Sequence, residues 1–299
     1  MDDQERSTAP FLALIPAQFL FGSLPVIGKI VLAVIPPMGL VGIRTAITAV
    51  ILFVIQAFRR RLWLKERGDY TRLAVLSLFG VVFNQLFFIS GLSLTTASNT
   101  SLLAVMIPVF ALTVGSVAGF EKLTWVKMVG IVLAGLGVIL LIDPRKASFS
   151  SQTTIGDIFI IINCLAYGIY VATSKKVITR NGTFRSMMWV FIFASIICIP
   201  LGAFSLSTID LASVAPRIWW ISVYIAIGAT AAPYLLNAWA LQRVNPSTVA
   251  VFVYLQPLIG FTLAVLFLDE IITAVFVIAA ALIFAGVFLV TRKFIPNET

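Results

Sequence analysis

The chain alternates between runs of about 20 almost wholly apolar residues and short segments that collect its charges, prolines and turn residues. Ten such runs can be traced, at 10–31, 36–58, 71–92, 97–119, 124–142, 155–176, 186–206, 216–240, 245–267 and 271–292. Each is long enough for an α-helix to cross a hydrocarbon core. The connections are brief, such as "IPP" at Ile35 to Pro37, except for "DPRKASFSSQTTIGD" from Asp143 to Asp157 near the midpoint. The pattern predicts an all-α integral membrane protein with ten transmembrane helices. Its expected divisions are 1–9 as a cytoplasmic N-terminus, 10–142 as a first five-helix unit, 143–154 as an outer linker, 155–292 as a second unit and 293–299 as a cytoplasmic tail.

The two units share their punctuation. "VMIPVFALTVGSVAGFEKLT" (Val105 to Thr124) and "YLQPLIGFTLAVLFLDEIIT" (Tyr254 to Thr273) each place a proline near the start and a glutamate near the end. Pro108 and Pro257 lie 149 positions apart, as do Glu121 and Glu270, Ser98 and Ser247, Thr113 and Thr262, and Gly137 and Gly286. Nearer the start of each unit, Gly22 and Lys29 match Gly168 and Lys175 at an offset of 146. Five passes is an odd number, so a second copy of the unit must sit upside down relative to the first. Inverted repeats of this kind build carriers, with the substrate site near the midplane between the halves.

Charge then sets the orientation. With the N-terminus inside, sixteen of the 21 Lys and Arg residues fall in cytoplasmic segments, among them Arg59, Arg60, Arg61, Lys65, Arg67 and Arg72. Only Lys29, Arg145, Lys146 and Arg217 fall outside, and Arg44 lies within a span. The expectation is a multi-pass protein of the bacterial inner (plasma) membrane with both termini cytoplasmic. The net charge of +9 thereby reads as membrane topology rather than as a nucleic-acid surface.

Composition narrows the chemistry. The chain is 60% hydrophobic and 11% charged, more apolar surface than a water-soluble fold of this length can bury. The acidic, polar N-terminus "MDDQERSTAP" precedes an apolar run long enough to span, which argues against a cleavable signal peptide. Cys164 and Cys198 both sit in apolar runs, so no disulfide framework is expected. There is no histidine, which removes imidazole metal sites and His-based proton relays. With no H-E-x-x-H, no G-x-S-x-G and no acidic pair inside a span, the chain is not expected to be an enzyme, and no cofactor or metal is expected.

Two closing segments carry a family resemblance: "FEKLTWVKMVGIVLAGLGVILL" and "LDEIITAVFVIAAALIFAGVFLV". Each sets an apolar helix end and an acidic residue before a glycine-spaced last helix. The chain resembles the drug/metabolite transporter superfamily of EamA type over essentially its whole length. It looks closest to the YddG-like amino-acid exporters, which implies a ten-helix inner-membrane exporter of aromatic and other amino acids. It departs from the pattern at Ala279 and Phe284, where the first unit has Gly130 and Gly135.

Polar residues at membrane depth should face a cavity or a partner helix. In the sixth run Asn163, Tyr167, Tyr170 and Ser174 form one helical stripe, and the eighth has Thr230, Tyr234 and Asn237. The third run offers Asn84 and Gln85, the fourth Asn99, and the ninth Tyr254 and Gln256. This lining is amide, hydroxyl and phenol among apolar walls, suited to a zwitterion with an apolar side chain. Several buried cations would be needed for a phosphorylated substrate. The expected partners are a small zwitterionic substrate and the lipid bilayer; the alternative is an exporter of another small metabolite or an amphiphilic drug. Gly22, Pro108, Gly168 and Pro257 are candidate hinges or gates. Arg44 reads as a structural charge tethered to helix-end carbonyls, with attraction of a substrate carboxylate as the alternative. Glu121 and Glu270 read as structural or gate-closing charges at helix N-termini. Lys29 reads as a snorkelling interface residue, and Lys175 and Lys176 as anchors. With no acid at mid-span, a facilitator or exchanger is expected rather than a carboxylate-driven antiporter.

Overall fold

A computed structural model describes residues 8–96, 99–100, 103–142, 151–259 and 274–291. All regular structure among them is helical. Six helices have the length and composition to cross a membrane: α1 (Ala9–Leu32), α2 (Pro37–Phe58), α3 (Arg67–Leu94), α6 (Ser151–Asn181), α7 (Thr183–Leu206) and α8 (Pro216–Leu241). Shorter apolar helices accompany them: α4 (Met106–Val117), α5 (Trp125–Ile142), α9 (Pro246–Ile259) and α10 (Ala274–Thr291).

Local chemistry sets the boundaries. Proline opens α2, α8 and α9, where its missing N–H is one of the donors a helix start leaves free. Between α6 and α7 the turn is made by one residue, Gly182, at φ 82°, a left-handed conformation that glycine adopts without strain. This makes α6 longer than the expected 155–176. It begins at Ser151, which shortens the expected linker, and runs on to Asn181, whose amide donates to Asp69 at 2.7 Å and accepts from the Lys65 N–H at 2.9 Å.

Proline also breaks helices where the backbone must be repaired. The expected fourth run, 97–119, is not one regular helix: a turn at Ala104 and Val105 precedes α4, and Pro108 sits in its first helical turn. Pro108 has no N–H for the Ala104 carbonyl, which instead accepts from Ile107 at 3.0 Å. Before Pro257, likewise, α9 tightens to a 3₁₀ turn at Phe252–Tyr254. The Tyr254 hydroxyl donates to the Val105 carbonyl at 2.9 Å, so the loosened stretch of one segment is satisfied by the other.

Two wider turns interrupt long helices. α3 carries a π turn at Leu78–Phe83 and α8 one at Ile227–Ala231, starting 149 residues apart. The carbonyls around them find side-chain partners. Gly80 accepts from Tyr234 at 2.7 Å, Ile225 from Thr230 at 2.8 Å and Ala226 from Thr48 at 3.1 Å. In hydrocarbon such repair is obligatory.

Small residues let helices cross closely. A Cβ on Gly42 of α2 would lie 2.8 Å from the Gly202 Cα of α7. On α5, Gly130 meets the Gly286 carbonyl and Gly137 the Ala279 carbonyl of α10, at 2.9 and 2.8 Å from an added Cβ. Ala279, one departure from the repeat pattern, is fully buried in this crossing. Phe284, the other, points away from it and is 61% exposed, joining Phe288, Trp125 and Val132 on an apolar outer face of the kind that lipid covers.

Contacts also fix direction. α3 runs antiparallel to α6, with Gly91 against Ile160 at one end and Gly80 against Tyr170 further along. α1 is antiparallel to α8, pairing Gln18 with Asn237 and Ser23 with Tyr224. α8 runs parallel to α6, with Asn237 on Tyr167 and Val244, just past the end of α8, on Lys175, so α1 and α6 run in opposite directions.

Candidate functional site

A cavity partly open at its mouth lies where helices from both sequence halves converge. α1 contributes Phe21 and Leu24, α2 Arg44, and α3 Asn84, Gln85 and Phe88; α6 contributes Asn163 and Tyr167, α8 Tyr234, and α9 Gln256.

Two hydrogen-bond chains hold this wall. In the first, Gln256 donates to the Gln18 carbonyl oxygen at 2.8 Å, the Gln18 amide reaches the Asn237 Oδ1 at 3.4 Å, and Asn237 donates to the Tyr167 hydroxyl at 2.9 Å. In the second, Asn163 donates to the Asn84 backbone carbonyl at 2.8 Å. The Tyr234 hydroxyl stands 2.7 Å from the Gly80 carbonyl and 2.9 Å from the Asn84 Oδ1. One hydroxyl proton serves one acceptor, so both contacts are satisfied when the Asn84 amide is turned to donate in return. Pre-formed chains of this kind fix side-chain direction before any substrate arrives.

The predicted lining residues do not all meet. Asn84, Gln85, Asn163, Tyr167, Tyr234 and Gln256 face the cavity. Asn237 stands behind Tyr167 as its donor. Tyr170 continues the α6 stripe but is packed over Gly80, its hydroxyl on the Met187 sulfur at 3.5 Å, and Ser174 is buried beyond it. Tyr254 borders a smaller neighbouring pocket with Pro257. Asn99 lies at one end of the bundle, where its amide donates to both Asp157 carboxylate oxygens at 3.1 and 3.0 Å. Gly168 is a packing glycine, since a Cβ there would come within 2.8 Å of Phe110; at Gly22 a Cβ would make ordinary contact with Gln256 at 3.5 Å.

The charged residues also differ from expectation. Arg44 is not tethered to helix-end carbonyls: its Nε donates to the Thr230 hydroxyl at 2.9 Å, and its guanidinium borders the cavity. Glu121 does serve a helix N-terminus, but that of α9 across the bundle rather than of α5. Its carboxylate accepts from the Ser247 N–H at 3.1 Å and from the Ser247 hydroxyl, and pairs with Lys127. Glu270 lies outside the described residues.

Lys29 and Lys175 are more than interface anchors. Lys29 Nζ donates to the Thr95 carbonyl just past α3, and Lys175 Nζ to the Val244 carbonyl just past α8, both at 2.8 Å. The donors are 146 residues apart and the acceptors 149. Because α1 and α6 are antiparallel, the two ties lie at opposite ends of the bundle. Thr95 is held further by its hydroxyl on Asp157 at 2.6 Å. Gln18, fully buried, was missed from the sequence although it is a lone amide in the first apolar run. The lysine ties end on backbone carbonyls, which leave no residue signature.

Comparison with known proteins agrees with this architecture. The family model described as the EamA-like transporter family matches residues 8–143 and again 154–292. An "Uncharacterized transporter" of Archaeoglobus fulgidus is 27% identical over 89% of this chain and 91% of its own. A protein of Streptantibioticus cattleyicolor named "Probable terminal-alkyne amino-acid exporter" is 22% identical over 66% of this chain and 65% of its own. A crystal structure at 20% identity shares the fold, with a TM-score of 0.74 over 95% of this chain and 96% of the other.

Proposed function

The chain belongs to the EamA-like transporter family, and from that premise we propose that it is a secondary carrier that exports amino acids or related zwitterionic metabolites, aromatic ones included. It works by alternating access around the central cavity. The observation that carries this reading is the cavity itself. Amides and phenols from α3, α6, α8 and α9 are held by hydrogen bonds among the apolar walls of Phe21, Leu24 and Phe88. Neutral donors and acceptors take the charged head of a zwitterion while the walls take its side chain. The relative named as an amino-acid exporter points the same way.

In this reading the ten helices form two inverted five-helix repeats in the bacterial inner membrane, with both termini cytoplasmic. The double match of the family model, the antiparallel course of α1 and α6, the π turns 149 residues apart and the two lysine ties support it. The Lys29 and Lys175 ties act as matched gates, and loosening one while the other holds opens the cavity to one side. Among the described residues no carboxylate lines the cavity, which favours a facilitator or exchanger.

The test is flux in proteoliposomes by the wild type and by Asn163→Ala, Tyr167→Ala and Gln256→Ala. Each variant is expected to lose on the order of tenfold in rate or to change its selectivity, as the loss of a buried polar contact of about 1.4 kcal/mol would produce. Full rates and unchanged selectivity in all three would remove the cavity from the mechanism. Accumulation against a gradient driven by an imposed pH difference would replace the facilitator with a proton-coupled carrier.

A further inference from the structure

Arg44 stands out inside the bundle. It is 2% exposed, and among the described residues the cavity it borders has no acidic side chain. Of the five N–H donors of a guanidinium, only Nε–H has a hydrogen-bond partner among the described residues, the Thr230 hydroxyl, and Nη1 is buried with none. Beside it on the same wall, Gln85 is 1% exposed, and neither atom of its amide makes a hydrogen bond of good geometry, although the Tyr234 hydroxyl is close by.

A buried cation without a counter-ion is unfavourable in itself. Packing does not require it, because Thr230 already satisfies its own π-turn carbonyl at Ile225. The 146- to 149-residue offsets give no counterpart either: the corresponding positions in α7 are Val190, Phe191, Ile192 and Phe193. Arg44 is therefore not part of the repeated framework.

We propose that Arg44 and Gln85 form the carboxylate subsite of the cavity, and that the site requires a free carboxylate on its substrate but not an ammonium group. A carboxylate accepts from the free guanidinium N–H groups and from the Gln85 amide, neutralising the guanidinium charge. Among the described lining residues an ammonium group finds no anionic partner, only amide oxygens and aromatic faces. The substrate class thus widens from amino acids to small carboxylates with an apolar body, and amines, amides and esters of the same shape are rejected. This rests on the carrier reading above and sharpens its substrate.

The experiment uses the purified full chain and two shape-matched sets of probes: phenylalanine, 3-phenylpropanoate, phenylalaninamide and phenethylamine; and leucine, 4-methylpentanoate, leucinamide and isopentylamine. Thermal protection in detergent and competition for flux in proteoliposomes are both read. The carboxylates and amino acids are expected to protect and compete, and the amides and amines to do so at least tenfold more weakly. Arg44→Met is expected to erase that preference while the ligand-free protein melts at or above the wild-type temperature, because an uncompensated buried charge has been removed. A purely structural arginine would give the opposite, a lower melting temperature with the preference kept. Gln85→Leu, which keeps the charge, is expected to narrow the preference several-fold and serves if Arg44→Met does not fold. Equal protection by amides and carboxylates, or a preference that survives both substitutions, overturns the subsite. Flux of the amides or amines in that case leaves the carrier reading standing, whereas carboxylate binding without flux of any probe overturns the carrier and keeps the subsite.

Discussion

The two sequence halves match in their ties and helix crossings and differ in the side chains around the cavity. Lys29 on Thr95 is answered by Lys175 on Val244, and Gly130 against Gly286 by Gly137 against Ala279. Around the cavity, Arg44 has no counterpart in α7, and Asn84 and Gln85 of α3 correspond to Pro233 and Tyr234 of α8. The ties and packing contacts are written twice; the polar side chains of the cavity are written once. A gate must perform the same act on both sides of the membrane, so its chemistry can repeat. A substrate has no twofold symmetry, so its site need not.

The largest effect should come from disturbing a matched packing contact. A Cβ on Gly286 would lie 2.4 Å from the Gly130 carbonyl oxygen and 2.6 Å from the Ala134 backbone nitrogen. Gly286→Leu is expected to cost more than about 3 kcal/mol and to abolish monodisperse protein, as measured by size-exclusion yield and melting temperature. Wild-type yield would show that the α5–α10 crossing is dispensable.

The unmatched centre should respond in function more than in folding. Gln18→Leu removes the link between Gln256 and Asn237 and leaves two amides unsatisfied, a loss of about 1–3 kcal/mol that should appear as a tenfold or larger drop in flux. A smaller change follows at the rim. Glu121→Gln keeps a hydrogen bond to Ser247 but loses the charge facing Lys127 and the α9 N-terminus, lowering stability by about 1 kcal/mol in a thermal melt. Least of all, Phe284→Ala should stay within about 0.5 kcal/mol of wild type, because that side chain is 61% exposed on the apolar outer face.

The all-helical, membrane-spanning character was legible because lipid leaves few choices. Spans of about 20 apolar residues, prolines at helix starts and the 149-residue offset all follow from sequence. The site was legible in part. The α6 stripe placed Asn163 and Tyr167 correctly on one face, but periodicity alone cannot say where along the helix a cavity ends, and Tyr170 lies past that end over Gly80. The pattern places Pro108 inside one run, 97–119, whereas the chain loosens a turn before it, where the Ala104 carbonyl lacks the Pro108 N–H. The π turns at Leu78 and Ile227 had no signature, since they depend on side chains from other helices, Tyr234 and Thr48, to take up freed carbonyls. Arg44 was visible as a charge, but its unsatisfied donors belong to three-dimensional geometry.

If the two lysine ties are opposing gates, removing each should open the cavity to a different side of the membrane. In a chain freed of its own thiols by Cys164→Ser and Cys198→Ser, a reporter cysteine is placed at the cavity by Thr100→Cys. Its reaction with a membrane-impermeant thiol reagent is then measured from each side of oriented vesicles, in Lys29→Met and Lys175→Met backgrounds. Loss of a charge-assisted hydrogen bond of about 1–2 kcal/mol should shift accessibility roughly five- to thirtyfold, towards one side in the first background and the other side in the second. A shift to the same side in both backgrounds, or no shift in either, would contradict it.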